Sequence, residues 1–355
     1  MHALLLWFTP LVVSNQAWKP SVPLPRAREY GAAAAFPGAD GAVVVVGGVD
    51  ENHTPLGDTL IFKPSAKTGW KRGPALPIAS YFAAAASFSF AANDSGASAS
   101  AAPVGGGGAG GAGTMVDAIV VAGGCTGGSC ATVADVYMLK STNLSSWTAV
   151  APMTTPRRGF GLVGMNNAVY AVGGNDAYSN CLHTAERYLG GSSWTAIANM
   201  STARFYVALA ASSSTNALYA VGGYDGVNTL RTAEMYNPST DKWSRMAPML
   251  SPRDHMSSAV LGGMLYVIGG FNGEKTEKST EIFDVAAGKW KLGPSLAAPR
   301  DNYALAVATY GGNRSRSSSS SSVGGGGGAL YVLGGFGSAN AKQLKTVEVL
   351  TIESA

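Results

Sequence analysis

An all-β chain of six four-stranded blades, a β-propeller, is the fold the sequence predicts, and three observations predict it. An apolar run ends on a glycine pair six times, at Gly48, Gly124, Gly174, Gly223, Gly270 and Gly335. Six of the seven tryptophans open a second pattern with its own spacing. Where nothing is inserted, Gly124, Gly174, Gly223 and Gly270 follow one another at 50, 49 and 47 residues. Four short strands at a period near 50 make one propeller blade.

Composition supports short strands. Of the 355 residues, 46% are hydrophobic, only 13% are charged and 47 are glycine. Amphipathic helices would need more Lys, Glu and Arg for their solvent faces. The glycine-terminated runs are "AVVVVGG", "AIVVAGG", "AVYAVGG", "ALYAVGG", "MLYVIGG" and "ALYVLGG". A single Gly-Gly could open a phosphate-binding loop, but six in register, none followed by a capped helix, mark strand ends. A further strand follows with an acidic-x-aromatic pattern: Asp135-Val136-Tyr137, Glu186-Arg187-Tyr188, Glu234-Met235-Tyr236 and Glu281-Ile282-Phe283. The first and last copies are degenerate, with Leu60-Ile61-Phe62 and Glu348-Val349-Leu350. Another strand starts at Trp, with Leu or Met six residues on and Arg ten residues on. The sets are Trp18/Leu24/Arg28, Trp70/Leu76/Ser80, Trp147/Met153/Arg157, Trp194/Met200/Arg204, Trp243/Met249/Arg253 and Trp290/Leu296/Arg300, and only Ser80 departs from them. A further small or apolar stretch after each Arg position supplies the remaining strand.

The last unit has no tryptophan strand and the first has a surplus one, "AWKPSVPLPRAR". A ring leaves no sheet edge when the surplus strand fills the vacancy, so Trp18 is assigned to the sixth blade. The propeller is expected over 15–355, with 1–14 an apolar segment of no assigned role. Two Gly/Ser/Ala low-complexity inserts, 91–115 and 311–328, fall between the first and second strands of a blade. Strand alternation places them on the side away from the Arg-bearing connections.

The unit "LYAVGGYDGVNTLRTAEMYNPSTDKWSRMAPMLSPR" (218–253) resembles the kelch repeat of the Kelch-like substrate adaptors, and the resemblance runs from Trp18 onward. It implies a kelch propeller without the BTB and BACK helical domains of those adaptors, whether a stand-alone protein or part of a longer one. It also implies partner-binding positions one and two residues beyond the repeat Arg, and just after each glycine pair. The first set is Glu29/Tyr30, Tyr81/Phe82, Arg158/Gly159, Phe205/Tyr206, Asp254/His255 and Asp301/Asn302. The second is Val49, Cys125, Asn175, Tyr224, Phe271 and Phe336. The candidate binding residues are Tyr30, Tyr81, Arg158, Asn175, Tyr206, Tyr224, His255, Phe271 and Asn302. Aromatic bodies with polar tips suit protein recognition. The repeat Arg, Trp and Glu residues recur once per blade and read as structural.

The expected function is a protein-interaction module that binds a partner protein or peptide, with substrate recognition for a ubiquitin ligase as the family role. Actin binding and a sugar-directed enzyme of the sialic acid epimerase kind are the alternatives. No catalytic residue, cofactor or metal is assigned. His2, His53, His183 and His255 have no ligand spacing, and Cys125/Cys130 lack a second pair to complete a zinc site. The net charge of +4, without a basic run, gives no sign of nucleic-acid binding. The apolar stretch from Ala3 to Val13 is shorter than the roughly 20 residues a membrane span needs. It also lacks the basic start of a signal peptide. A cytoplasmic location is favoured; secretion, in which Cys125 and Cys130 could pair, is the alternative.

Overall fold

A computed structural model of the chain describes residues 17–37, 41–66, 68–91, 115–309, 328–337 and 342–352. Those residues form six antiparallel four-stranded sheets, the blades of a β-propeller. Blade 1 runs through Ala32–Ala35, Val43–Val46, Thr59–Phe62 and Lys71–Arg72. Blade 2 uses Ala84–Ala91, Met115–Ala122, Val136–Lys140 and Asn143–Val150. Blades 3, 4 and 5 occupy 161–197, 208–245 and 257–292 with the same order. Blade 6 joins Ala304–Thr309, Gly328–Leu333 and Val347–Ile352 to Lys19–Pro20 from the other end of the chain. Lys19 lies opposite Val349 and Pro20 opposite Glu348, as the surplus-strand argument requires. The segment 1–14 and most of both inserts lie outside the described residues. The chain leaves them after Ala91 and Thr309, at the end of each first strand farthest from the Arg connection. No helix among the described residues is long and apolar enough to cross a membrane.

The first strands of successive blades contact one another, and that of blade 6 contacts that of blade 1, so all six surround one axis. Second strands are covered on both faces by neighbouring blades, which explains their unbroken apolar runs. Val43 and Val45 face blade 6, whereas Val44 and Val46 face blade 2. The hydrophobic interior is accordingly six wedges, one between each successive pair of blades. The wedge of Leu24, Val45, Leu60 and Tyr331 closes the ring.

The glycine pairs tie each blade to the next. In blade 4, Gly222 has φ 59° and Gly223 φ 92°, the left-handed backbone that glycine adopts freely. Gly223 N–H donates to Arg253 O at 2.8 Å, and a Cβ on Gly222 would lie 2.5 Å from that same oxygen. All six pairs repeat the bond, with Gly335 N–H donating to Arg28 O across the closure.

Tryptophan supplies a second tie. Each indole N–H donates to the carbonyl four residues after the preceding blade's tryptophan: Trp70 to Val22, Trp147 to Pro74, Trp194 to Ala151, Trp243 to Ala198, Trp290 to Ala247 and Trp18 to Pro294.

The repeat arginines are buried and paired. Arg157, Arg204, Arg253 and Arg300 meet Glu186, Glu234, Glu281 and Glu348 of their own blades. Blades 1 and 2 depart from the acidic-aromatic register. Leu60 opposes Val45, and Tyr137 opposes Val121, where the regular blades place Glu (Glu234 opposite Ala220, for example). Arg28 instead takes Asp58, two residues earlier, at 2.9 Å. Asp135 holds the corresponding position in blade 2, where Ser80 replaces the arginine. The Asp135-Val136-Tyr137 copy is therefore two residues out of register with Glu234-Met235-Tyr236.

Candidate recognition face

The position two residues after each Arg carries the centre of the face. Tyr30, Phe82, Gly159, Tyr206, His255 and Asn302 all have φ between 52° and 56°. No single residue type marks the position, so the shared left-handed backbone is imposed by the blade junction. It turns successive amides along the ring. Tyr30 N–H donates to Asn302 O, Phe82 to Tyr30, Gly159 to Phe82, Tyr206 to Gly159 and Asn302 to His255, at 2.7–3.1 Å. The side chains gather over an axial cavity of about 190 Å³, walled below by the first strands. Tyr30 packs on Phe82 with centroids 4.0 Å apart, Phe82 on Tyr206 at 5.8 Å and Tyr206 on His255 at 3.3 Å.

The position one residue after each Arg pairs with the residue after the glycine pair. The bridges are Glu29 with Val49, Tyr81 with Cys125, Arg158 with Asn175, Phe205 with Tyr224, Asp254 with Phe271 and Asp301 with Phe336. The two residue sets named from the sequence are thus neighbours in every blade. Of the nine candidates, Tyr30, Tyr206, His255 and Asn302 line the cavity. Tyr81, Arg158, Tyr224 and Phe271 are half-buried around it, and Asn175 is buried.

Local bonds hold this outer tier. Tyr224 Oη donates to Gly226 O and Tyr81 Oη to Gly127 O. Arg158 donates to Cys130 Sγ, Thr132 Oγ1 and Ser179 Oγ. Cys125 and Cys130 are joined by a disulfide that closes the blade 2 loop. No group of three or more His, Cys, Asp or Glu is arranged to hold a metal among the described residues.

Loop tips were not among the residues singled out from the sequence. After the glycine pair and one further residue, Asp50, Asp176, Asp225 and Asn272 each accept backbone N–H groups from the next few residues. These Asx turns are stiff. Two of them present large side chains to solvent: Tyr178 is 86% exposed and Val227 79%. Both sit in adjacent blades, and Cys181 Sγ reaches the Gly226 turn. The signal for the turns was present as Gly-Gly-x-Asp/Asn.

Burial sets the chemistry of the centre. It raises the Tyr30 and Tyr206 phenols well above their ordinary value, so both are neutral hydrogen-bonding groups. It also raises the carboxyls of Glu29 and Asp301.

Six blades with paired loops around one mouth define a β-propeller with a single composite face. The KLHDC2/KLHL20/DRC7 Kelch-repeats domain model matches residues 110–311, more than half of the chain, and the chain belongs to the kelch-repeat family. It is 54% identical over 48 residues to the human influenza virus NS1A-binding protein, covering 14% of this chain and 8% of that one. It is 36% identical over 117 residues to mouse Kelch-like protein 35, covering 32% of this chain and 20% of the relative. Beta-scruin of Limulus polyphemus is 29% identical over 127 residues, covering 34% and 14%. The chain thus spans a fifth or less of each of these relatives. The solved structure of YjhT superposes with a TM-score of 0.64 at 13% identity, over 92% of this chain and 95% of that one, a likeness of fold.

Proposed function

We propose that this chain is a protein-interaction module that binds a segment of a partner protein across the face built by the Arg connections and the Gly-Gly loops. The observation that carries the reading is the pairing of those two loop sets in all six blades around one mouth. It makes a broad composite surface on a rigid scaffold, with Tyr178 and Val227 presented on locked turns. Such a surface binds at low ordering cost. The similarity to Kelch-like protein 35 supports the finer reading, substrate selection for a ubiquitin ligase; the similarity to beta-scruin supports an actin-associated role. The name of the human relative describes a protein that binds influenza virus NS1A, in keeping with a protein partner here.

The test is an affinity capture comparing the wild-type chain with a Tyr178→Ala/Tyr224→Ala/Val227→Ala variant. Partners enriched by the wild type should be lost by the variant while its melting temperature holds. Equal capture by both would move the binding surface elsewhere. A sugar-directed enzyme is the second reading, favoured by His255 Nδ1 lying 2.6 Å from Asp254 Oδ1 beside the axial cavity. Epimerisation or mutarotation of a reducing sugar, abolished in His255→Ala, would establish it.

A further inference from the structure

The mouth is polar on one side. Blades 5, 6 and 1 place an acid one residue after the Arg position, namely Asp254, Asp301 and Glu29, whereas blades 2, 3 and 4 place Tyr81, Arg158 and Phe205 there. All three acids are buried. Each takes a donor from the preceding blade's loop: Thr229 Oγ1 to Asp254 at 2.8 Å, Thr276 Oγ1 to Asp301 at 2.9 Å and Gln343 Nε2 to Glu29 at 3.0 Å. Two of them in turn hold the next side chain. His255 Nδ1 donates to Asp254 at 2.6 Å, and Asn302 Nδ2 donates to Asp301 at 2.8 Å. In the neutral Nδ1–H form of the imidazole, His255 Nε2 is an acceptor at the cavity, beside Asn302 Oδ1.

Unpartnered oxygens gather along this arc. Ser258 Oγ, in the cavity wall, is shielded from solvent and has no hydrogen-bond partner among the described residues. Gln343 Oε1, beside Glu29, is in the same state. Among the described residues, none of Asp254, Asp301 and Glu29 is paired with a Lys or Arg. Of the positions one and two residues after the Arg, Arg158 alone is a Lys or Arg. It lies in blade 3, opposite blade 6, and is tied to its own loops, while Arg26 and Lys275 on the blade 1 and blade 5 loops pair with Asp50 and Glu277. Tyr30, Phe82 and Tyr206 add rings packed at a tilt over the same space.

We propose that the axial cavity receives an ammonium or guanidinium group, the tip of a lysine or arginine side chain in the segment bound across the face, an inference that rests on the interaction-module function. Its N–H groups would meet the unpartnered acceptors, the rings would contribute cation–π attraction, and the buried carboxylates would act through a medium less screening than water. A carboxylate would be repelled, and a methyl group would leave the acceptors unpaired.

The test is a titration of the full chain, near neutral pH, with Nα-acetyl-lysine amide, Nα-acetyl-arginine amide, Nα-acetyl-norleucine amide and Nα-acetyl-glutamate amide. The imidazole resonances of His255 report occupancy, and cadaverine is added as a free-amine arm. The two cationic probes should shift His255 saturably while norleucine and glutamate do not, and Asp301→Asn should weaken the lysine probe at least tenfold. Equal saturation by norleucine or glutamate overturns the inference, and that comparison stands on the wild-type chain alone if the variant fails to fold. Cadaverine binding more tightly than every blocked residue overturns the assignment to a partner side chain. Lysine binding by a chain that captures no protein upholds the cavity and overturns the module; capture undiminished by Asp254→Asn/Asp301→Asn upholds the module and overturns the cavity.

Discussion

Arg253 donates to Gly269 O, Ser279 O and Glu281, and its side chain is 1% exposed against 0% for Glu281. Replacing it with leucine leaves a buried carboxylate without its cation, a loss that costs about 3–5 kcal/mol. Urea denaturation of Arg253→Leu should show that drop, and Arg253→Lys should recover only part of it, because lysine lacks the planar fork. Titration makes a second residue-level prediction. Asp225 is held below the ordinary aspartate value by the Asn228 N–H, and Asp241 by the Ala198 N–H. A depressed folded-state value contributes stability above the unfolded pKa of about 3.9 and loses it as pH falls through the folded one. Melting temperature should therefore decline below about pH 4, less steeply in Asp225→Asn. Burial raises Tyr30, Tyr206 and Tyr303, and pushes Tyr266 up to about 12. Those groups favour the fold below the ordinary tyrosine value of about 10, and melts should fall progressively above it. The structural role of the arginines was legible because the type recurs once per blade. The partner of Arg28 was not, since Asp58 stands two residues outside the repeat register and only strand pairing reveals it.

Strands and their connections carry the next level. Trp194 is bound to the preceding blade by packing and by one N–H bond to Ala151 O at 2.9 Å. Trp194→Phe should lose about 1 kcal/mol, the net worth of one hydrogen bond. Trp243→Ala should lose roughly 3–5 kcal/mol through the cavity left behind. Both are readable as shifts in the urea midpoint at constant slope. The second strands were the most legible elements, since coverage on both faces demands apolar residues at every position. The ties between blades were less so, because they run from side chains to carbonyls, whose positions leave no mark on residue type. Connections should matter little where they lie far from the loop face. Excising 94–113 should leave melting and partner capture nearly unchanged, since closure entropy shifts by about 0.6 kcal/mol per doubling of length. Loss of capture would place that connection at the recognition surface.

Across the whole molecule, stability depends on a join between chain ends. Lys19–Pro20, Trp18 and Leu24 supply the outer strand, an indole tie and part of the closing wedge. A chain lacking 1–25 should expose the edge of Val347–Ile352 and aggregate on size-exclusion chromatography, whereas one lacking 1–10 should melt as the wild type does. Blade number and closure could be read from the repeat count and the missing tryptophan strand. The one-sided polarity of the mouth could not. It arises because Asp254, Asp301 and Glu29 occupy consecutive blades, and that adjacency becomes spatial only once blade 6 is known to touch blade 1.

Among the described residues, amides bond across five of the six blade junctions at the opening, and the Gly-Gly bonds to the Arg-position carbonyls cross all six, so together they fix its circumference. Widening it by moving one blade would strain its bonds to both neighbours, so a guest must be accommodated by rotation of Tyr30, Phe82, Tyr206 and His255 within a constant perimeter. Such rotations are fast compared with protein encounter. Association should then proceed at the 10⁵–10⁷ M⁻¹s⁻¹ typical of preformed surfaces, with no lag for rearrangement, and partners should differ chiefly in how long they stay.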